Sequence, residues 1–526
     1  MTNYKSILIL TLSALSLGAS ARVIPGSPFN DGMVLQQESK ALIWGKAQPG
    51  ATVEVVASWD YKRITTTAAA DSTWSLRIVT PKASFTPYAI TLSDGSEPLV
   101  IRDVLVGEVW LASGQSNMEM PVQGWSCCPI DNSAQLIASA AAYSGKLHFC
   151  NIPNRSCRTP QHSVPAQWHN SNPQEILGFT AVGFYFAKAL IDQLNVPVGI
   201  INDQWGGSNV EAWIPADILK SYGNVDLSDE AYKKMDQHAP AALYNAKIYP
   251  LRGYTIRGFI WYQGEANVGY HPETYARRLG DMVNRWRQDW GDKKLPFYFV
   301  EIAPYAYDKK VDGLKGAFLR EQQHKAYHQI EYSGLVCTND LVKPSETDQI
   351  HPANKQPVGQ RLANWALRKQ YGKTTIAICH PEYKSLKIKG DKAFLTFTHA
   401  SEGFNREEGI QGFEICGGDS VFHTATAVVK NGKVVLRSVE VKQPVAVRYC
   451  FRNFLIGNLA NKQGLPVLPF RTDNFPTSPA QHHPKSGKTT GAVKPASKSS
   501  DQFKQGRRLT LSAPSRTGLR HADKKA

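Results

Sequence analysis

Three residues of this chain could together carry out nucleophilic acyl transfer. Ser116 lies in Ser113-Gly114-Gln115-Ser116-Asn117-Met118, directly after the apolar run Val104–Ala112. Such a run reads as a buried strand, and a serine just beyond it sits on a tight turn that lifts its hydroxyl off the sheet edge. His351 lies in Asp348-Gln349-Ile350-His351-Pro352. A turn with Asp348 three residues before His351 lets the carboxylate accept from Nδ1–H, leaving Nε2 free to act as base toward a serine. Pro352 suits the first position of a following helix. A histidine base of this kind predicts activity rising with a single apparent pKa of about 6–7. Each motif alone is also what an ordinary polar turn looks like; their combination points to chemistry.

Two further strand-end motifs could complete such a site. Asp203-Gln204-Trp205-Gly206-Gly207-Ser208 places two glycines after a strand, where a backbone N–H can approach a ligand closely. Tyr262-Gln263-Gly264-Glu265-Ala266-Asn267 places Gln263, a neutral amide donor, at the end of another. Gly206, Gly207 and Gln263 are therefore candidates for holding a developing oxyanion. Glu265 reads first as a residue that holds its loop. With Gln115 and Asn117, the neighbours of Ser116, it is a supporting or substrate-binding candidate.

The elements that must position these residues follow from the apolar pattern. From residue 104 to about 373, apolar strands at 196–202, 256–262, 297–302 and 334–338 alternate with amphipathic stretches at 180–194, 272–290 and 352–368. That alternation predicts an α/β region: a parallel sheet with helices on both faces and chemistry at the carboxyl ends of the strands. Residues 22–103 carry short alternating runs such as Ala51-Thr52-Val53-Glu54-Val55-Val56, broken at Pro49-Gly50 and Asp94-Gly95, and read as a β-sandwich or jelly roll. Residues 374–476 turn β-rich again, as a second sandwich or as strands completing the first.

With those elements set out, the chain resembles a known family. Gly114-Gln115-Ser116-Asn117-Met118, Trp205-Gly206-Gly207, Trp261-Tyr262-Gln263-Gly264-Glu265 and Asp348–His351 are similar, in the same order, to motifs of the sialate O-acetylesterase family, within the SGNH-hydrolase group of carbohydrate esterases. Met33-Val34-Leu35-Gln36 and Leu465–Asp473 extend the likeness over roughly residues 25–475. The resemblance implies an SGNH-hydrolase-like fold and a serine esterase removing O-acetyl groups from sialic acid, with no cofactor and no metal. Acetylated xylan or another glycan is the alternative substrate, and a non-catalytic glycan-binding protein the alternative of another class. Compared with the wider group, Gln115 stands where an Asp is usual and Gln263 where the donor is usually Asn.

Composition and charge narrow the setting. Of 526 residues, 42% are hydrophobic and 20% charged, as in a globular chain of two or three domains. Residues 1–21 read as a cleavable secretory signal, with Lys5, an apolar core from Ile7 to Leu17 and Ala19-Ser20-Ala21, so a secreted or periplasmic location is expected. No run reaches the length of a membrane-spanning helix. Eight cysteines in an oxidising compartment make Cys150–Cys157 the best candidate disulfide, and Cys127 and Cys128 are expected to pair elsewhere or not at all. The net charge of +16 would suit nucleic acid, but residues 477–526 hold eleven Lys or Arg against two Asp, over half of the excess. No nucleic-acid partner is expected. That segment, rich in Ser, Lys, Gly and Pro, reads as a disordered basic tail.

Truncation after Pro476 is accordingly expected to leave the melting temperature and the turnover of a neutral ester unchanged. A midpoint lower by more than about 5 °C, on the order of 1 kcal/mol, would show that the tail packs on the fold.

Overall fold

The longest element is a strand of 16 residues, Leu99–Gly114, in a computed structural model that describes residues 22–475. The expected signal segment, 1–21, and the basic tail lie outside the described residues. The first part of the strand pairs antiparallel with Ser84–Ser93 and parallel with Val34–Gln36. Its last part pairs in parallel with Val198–Gln204 on one side and Gly258–Tyr262 on the other. Within the first part Arg102 and Asp103 are exposed, and Asp103 takes a φ of +55°. The expected boundary between residues 103 and 104 therefore falls inside one strand, which belongs to the N-terminal β region and to the α/β region alike.

The α/β sheet runs in the order Gln167–Asn170, Leu147–Asn151, Val198–Gln204, Leu99–Gly114, Gly258–Tyr262, Phe297–Val300, Ser333–Val336. Every neighbour pair in it is parallel except the first, at one edge. Successive side chains of a strand point to opposite faces. Val109 and Leu111 accordingly enter one core with Leu279, Met282 and Leu319, while Trp110 and Ala112 enter another with Phe186, Leu362 and Ala363. Helices Tyr275–Asp289 and Lys315–Gln329 pack together on the first face, Ala181–Leu194 and Gln356–Lys369 on the second. Thr180 caps Ala181–Leu194 by accepting from the Gly183 N–H at 3.1 Å. The expected α/β sheet with helices on both faces is thus observed.

Residues 383–471 form two four-stranded antiparallel sheets closed over Leu395, Ile415, Leu436 and Val447. They are held to the helical layer by Arg471, whose Nε and Nη2 donate to the two Glu321 oxygens at 2.9 and 3.1 Å, and by Asn453, whose Oδ1 accepts from the Gly316 N–H. All eight cysteines are unpaired, so the expected Cys150–Cys157 bridge is not formed. Cys150 is buried in Leu147–Asn151, whereas the loop carrying Cys157 is pinned elsewhere, its N–H donating to Ala242 O at 3.1 Å. No described helix is long and apolar enough to cross a membrane.

One buried carboxylate ties three regions together. Glu108, in the shared strand, accepts from Gln36 and Gln37, from Arg257 through two N–H groups at 2.9 and 3.2 Å, and from the Tyr371 hydroxyl at 2.8 Å. A buried charge is tolerable only when satisfied in this way. Glu108→Ala leaves those donors unpaired and is expected to cost on the order of 2–3 kcal/mol, Arg257 being partly solvated. Denaturant unfolding reads the loss; an unchanged midpoint would remove Glu108 from this structural role.

Candidate active site

The chain leaves the central strand through a turn that only glycine can make here. Gly114 has a φ of +132°, and a Cβ on it would lie 2.2 Å from Tyr262 O. The chain then enters the short helix Ser116–Glu119, whose first residue is the serine. Ser116 is partly exposed, and its hydroxyl makes no hydrogen bond to a described residue.

The flanking residues Gln115 and Asn117 are buried and committed to the scaffold. Gln115 Oε1 accepts from the Gly264 and Ala266 N–H groups at 3.3 and 3.2 Å, fastening the serine turn to the loop after Gly258–Tyr262. Asn117 Nδ2 donates to Glu265 Oε1 at 2.5 Å and to Ile350 O at 3.0 Å, while its Oδ1 accepts from Lys355 Nζ at 2.6 Å. One amide therefore joins the serine turn, the Glu265 loop and the loop of His351. Glu265 is buried, and burial raises its pKa. Burial likewise lowers that of Lys355, to about 7.

His351 is adjacent to the Ile350 carbonyl held by Asn117. Its ring packs edge-on to Trp125 with centroids 5.1 Å apart, and its Nδ1 is 3.7 Å from Cys128 Sγ. Burial and then the nearby Lys355 cation lower its pKa to about 4. That is below the range of about 6–7 expected for the activity profile from the sequence.

Asp348 does not accept from His351 in this structure. It is exposed, on a turn closed by Gln349 N–H to Glu346 O at 2.9 Å, and makes no hydrogen bond or ion pair to a described residue. The carboxylate folded into the loop is Glu346, which accepts from the Lys343 and Ala353 N–H groups at 2.7 and 3.0 Å. Nor does Pro352 open a helix: residues 350–355 form an irregular turn, and the helix begins at Gln356.

The three oxyanion candidates divide. Gly206 lies against the serine, since a Cβ built on it would be 3.3 Å from Ser116 Cβ. Its N–H, however, donates to Glu119 Oε2 at 2.5 Å, and Glu119 Oε1 accepts from Asn154 Nδ2 at 3.0 Å. Gly207, at φ +76°, has an N–H that donates to no described residue. Gln263 is fully buried and cannot present its amide to the serine. Its Nε2 donates to Ser208 O at 3.0 Å and Asn267 Oδ1 at 2.8 Å, and its Oε1 accepts from the Tyr275 hydroxyl at 2.8 Å. Asn267 continues this network to Glu211, which is paired with Arg278.

Glu119, Lys355 and the Trp125–Cys128 wall were not singled out in the sequence. Two of them had a positional signal: Glu119 falls one helical turn after Ser116, and Lys355 four residues after His351. No cluster of three or more His, Cys, Asp or Glu suited to a metal occurs among the described residues.

Residues 106–368, which hold all of these groups, match the family described as carbohydrate esterase, sialic acid-specific acetylesterase. The chain is 29% identical over 405 residues to the sialate O-acetylesterase of Homo sapiens, covering 71% of this chain and 76% of that protein. It is 27% identical over 451 residues to the sialate O-acetylesterase of Mus musculus, covering 75% and 82%. Among solved structures, a carbohydrate acetylesterase from Xanthomonas citri superposes with a TM-score of 0.77 at 35% identity, covering 86% of this chain and 100% of that one.

Because its amide braces other buried polar groups, Gln263→Ala is expected to lower stability by on the order of 2–3 kcal/mol. A normal denaturation midpoint combined with a rate loss of about 10²-fold or more would instead return Gln263 to an oxyanion role.

Proposed function

The chain belongs to the sialic acid-specific acetylesterase family of carbohydrate esterases, and we propose that Ser116 and His351 carry its ester hydrolysis, with O-acetylated sialic acid as substrate. The observation that carries this reading is the family match over residues 106–368, which spans Ser116, Gly206, Gly207 and His351. In the proposed mechanism His351 takes the Ser116 proton as Oγ attacks the acetyl carbonyl, and the sugar hydroxyl leaves with that proton. Water then attacks the acetyl-enzyme with His351 again as base. The N–H groups of Ser116 and Gly207 face the oxyanion. An SGNH-type arrangement with Asp348 as the third member of a triad requires the exposed turn at residues 347–349 to rotate toward His351 in the substrate complex.

A broader carbohydrate acetylesterase is the second reading. It is favoured by the 35% identity to the carbohydrate acetylesterase of Xanthomonas citri. Turnover on a panel of O-acetyl sialic acids and acetylated xylo-oligosaccharides separates the two. Hydrolysis of the xylan fragments alone would overturn the sialate reading.

Ser116→Ala and His351→Ala are expected to lower kcat on the order of 10⁴-fold with the fold intact, and Asp348→Asn to cost less than either. Near-normal turnover by Ser116→Ala would refute a serine esterase. The base must be neutral, so a histidine pKa of about 4 puts the acid limb of the rate profile about two units below that of a free imidazole. Lys355→Met removes a cation that disfavours the imidazolium. The acid limb should therefore move to higher pH; a limb that stays in place or moves lower would exclude Lys355 from this role.

A further inference from the structure

The four-stranded sheet Tyr383–Lys389, Lys392–Phe397, Lys433–Arg437, Thr426–Lys430, given in its spatial order, presents a face that the esterase reaction does not use. One side of this sheet is core: Ala393, Leu395, Val434, Leu436 and Ala427 are buried in the C-terminal sandwich. By strand alternation the other side carries Lys387, Lys389, Lys392, Lys430, Lys433 and Arg437, all exposed. Together with half-buried Phe394, Val428 and Val435 they line a groove of about 750 Å³ with no carboxylate among its lining residues. None of the six cations pairs with a described acid, although many Lys and Arg elsewhere do.

The strand register arranges these groups in rows. Lys389 is opposite Lys392, and Ala393 opposite Leu436 brings Lys392 level with Arg437, so one end of the face has three cations side by side. The middle row runs from Lys387 through Phe394 and Val435 to Val428. At the far end Lys433 is opposite Lys430. With about 3.4 Å per residue along a strand, the two cationic ends are roughly 14 Å apart, separated by a strip that is apolar except for Lys387 at its outer end. Unpaired like charges held this close repel one another and favour an anion that neutralises them.

We propose that this face is a binding site for an acidic polysaccharide chain, its carboxylates or sulfates lying on the two cationic rows and a sugar ring resting on Phe394. A single sialic acid has one carboxylate and cannot reach both rows, so the ligand is a chain with repeated anionic groups. Single-stranded nucleic acid is disfavoured because it needs several aromatic platforms for successive bases, and the floor has one ring between two valines. The site would anchor the enzyme to an acidic glycan independently of ester cleavage. It rests on the carbohydrate esterase family but not on the assignment of Ser116 and His351.

The test compares the full chain with the full-length double variant Lys392→Glu/Lys433→Glu, so that the tail is common to both. Binding to hyaluronan, to neutral dextran and to single-stranded DNA of matched charge is measured by titration calorimetry, alongside p-nitrophenyl acetate turnover. The double variant is expected to lose at least tenfold in hyaluronan affinity, with turnover and melting temperature unchanged and dextran unbound by either protein. Phe394→Ala should weaken hyaluronan binding while sparing DNA. Equal hyaluronan affinity in wild type and double variant would overturn the proposal, and so would DNA bound as tightly as hyaluronan with the same loss in the variant. Failure of p-nitrophenyl acetate hydrolysis in the wild type would count against the active-site reading alone.

Discussion

The candidate site depends on the side chain of Asn117. Its amide donates to Glu265 and to the Ile350 carbonyl and accepts from Lys355. Those partners lie 148, 233 and 238 residues further along the chain. No local propensity brings such segments together; the parallel sheet does, by ending its central strands at one edge. The amide then fixes the last few ångströms. An aspartate at 117 would repel Glu265, and a leucine would leave a buried lysine and a buried carboxylate without partners, each at several kcal/mol.

This cluster also sets the electrostatics of the histidine. Burial disfavours charge on Glu265, Lys355 and His351 alike, and the remaining Lys355 cation disfavours a second positive charge on His351. A neutral imidazole is what a general base requires at rest. In the proposed mechanism the same surroundings make the imidazolium of the transition state expensive, so a nearby anion would stabilise it. Asp348, exposed three residues away, is the carboxylate on the same loop that is not already engaged in holding it, whereas Glu346 is tied to two backbone N–H groups.

The sequence made legible what repeats with a fixed period and what punctuates it. The parallel strands at 198–204, 258–262, 297–300 and 333–336 were visible as apolar runs, each within two or three residues of its observed bounds. The helix Lys315–Gln329 was not visible, because its buried face includes Arg320 and Gln323 beside Leu319 and Ala326, and so lacks an apolar stripe. The strand Leu147–Asn151, second from the sheet edge, is short, and His148 interrupts its pattern. In the site, the strand-end positions of Ser116, Gly206, Gly207 and Gln263 were legible, but not where their polar atoms point. Gln263 looked like an outward donor because nothing in its own segment shows that Tyr275, Asn267 and Ser208 enclose it. Asp348 looked like the partner of His351 because spacing along a turn does not fix which residue the turn exposes.

The Glu119 carboxylate bears on how the site can hold an oxyanion. It occupies the Gly206 N–H at 2.5 Å, beside the serine. An oxyanion formed on that same donor would lie within about 4 Å of the carboxylate, and two such charges repel by about 4 kcal/mol at an effective dielectric constant of 20. One well-placed donor stabilises an oxyanion by roughly 3–4 kcal/mol. The repulsion cancels the gain, so the Gly206 N–H contributes nothing while Glu119 is ionised and bound to it. The two backbone donors of the proposed mechanism escape this cancellation: Ser116 N–H, at the first position of a helix where no intrahelical partner exists, and Gly207 N–H, which donates to no described residue. Glu119 has a second anchor in Asn154, so leaving Gly206 would not strand its charge. Release of Gly206 on substrate binding would add a third donor at the moment negative charge develops, a stabilisation available to the transition state and withheld from the resting site.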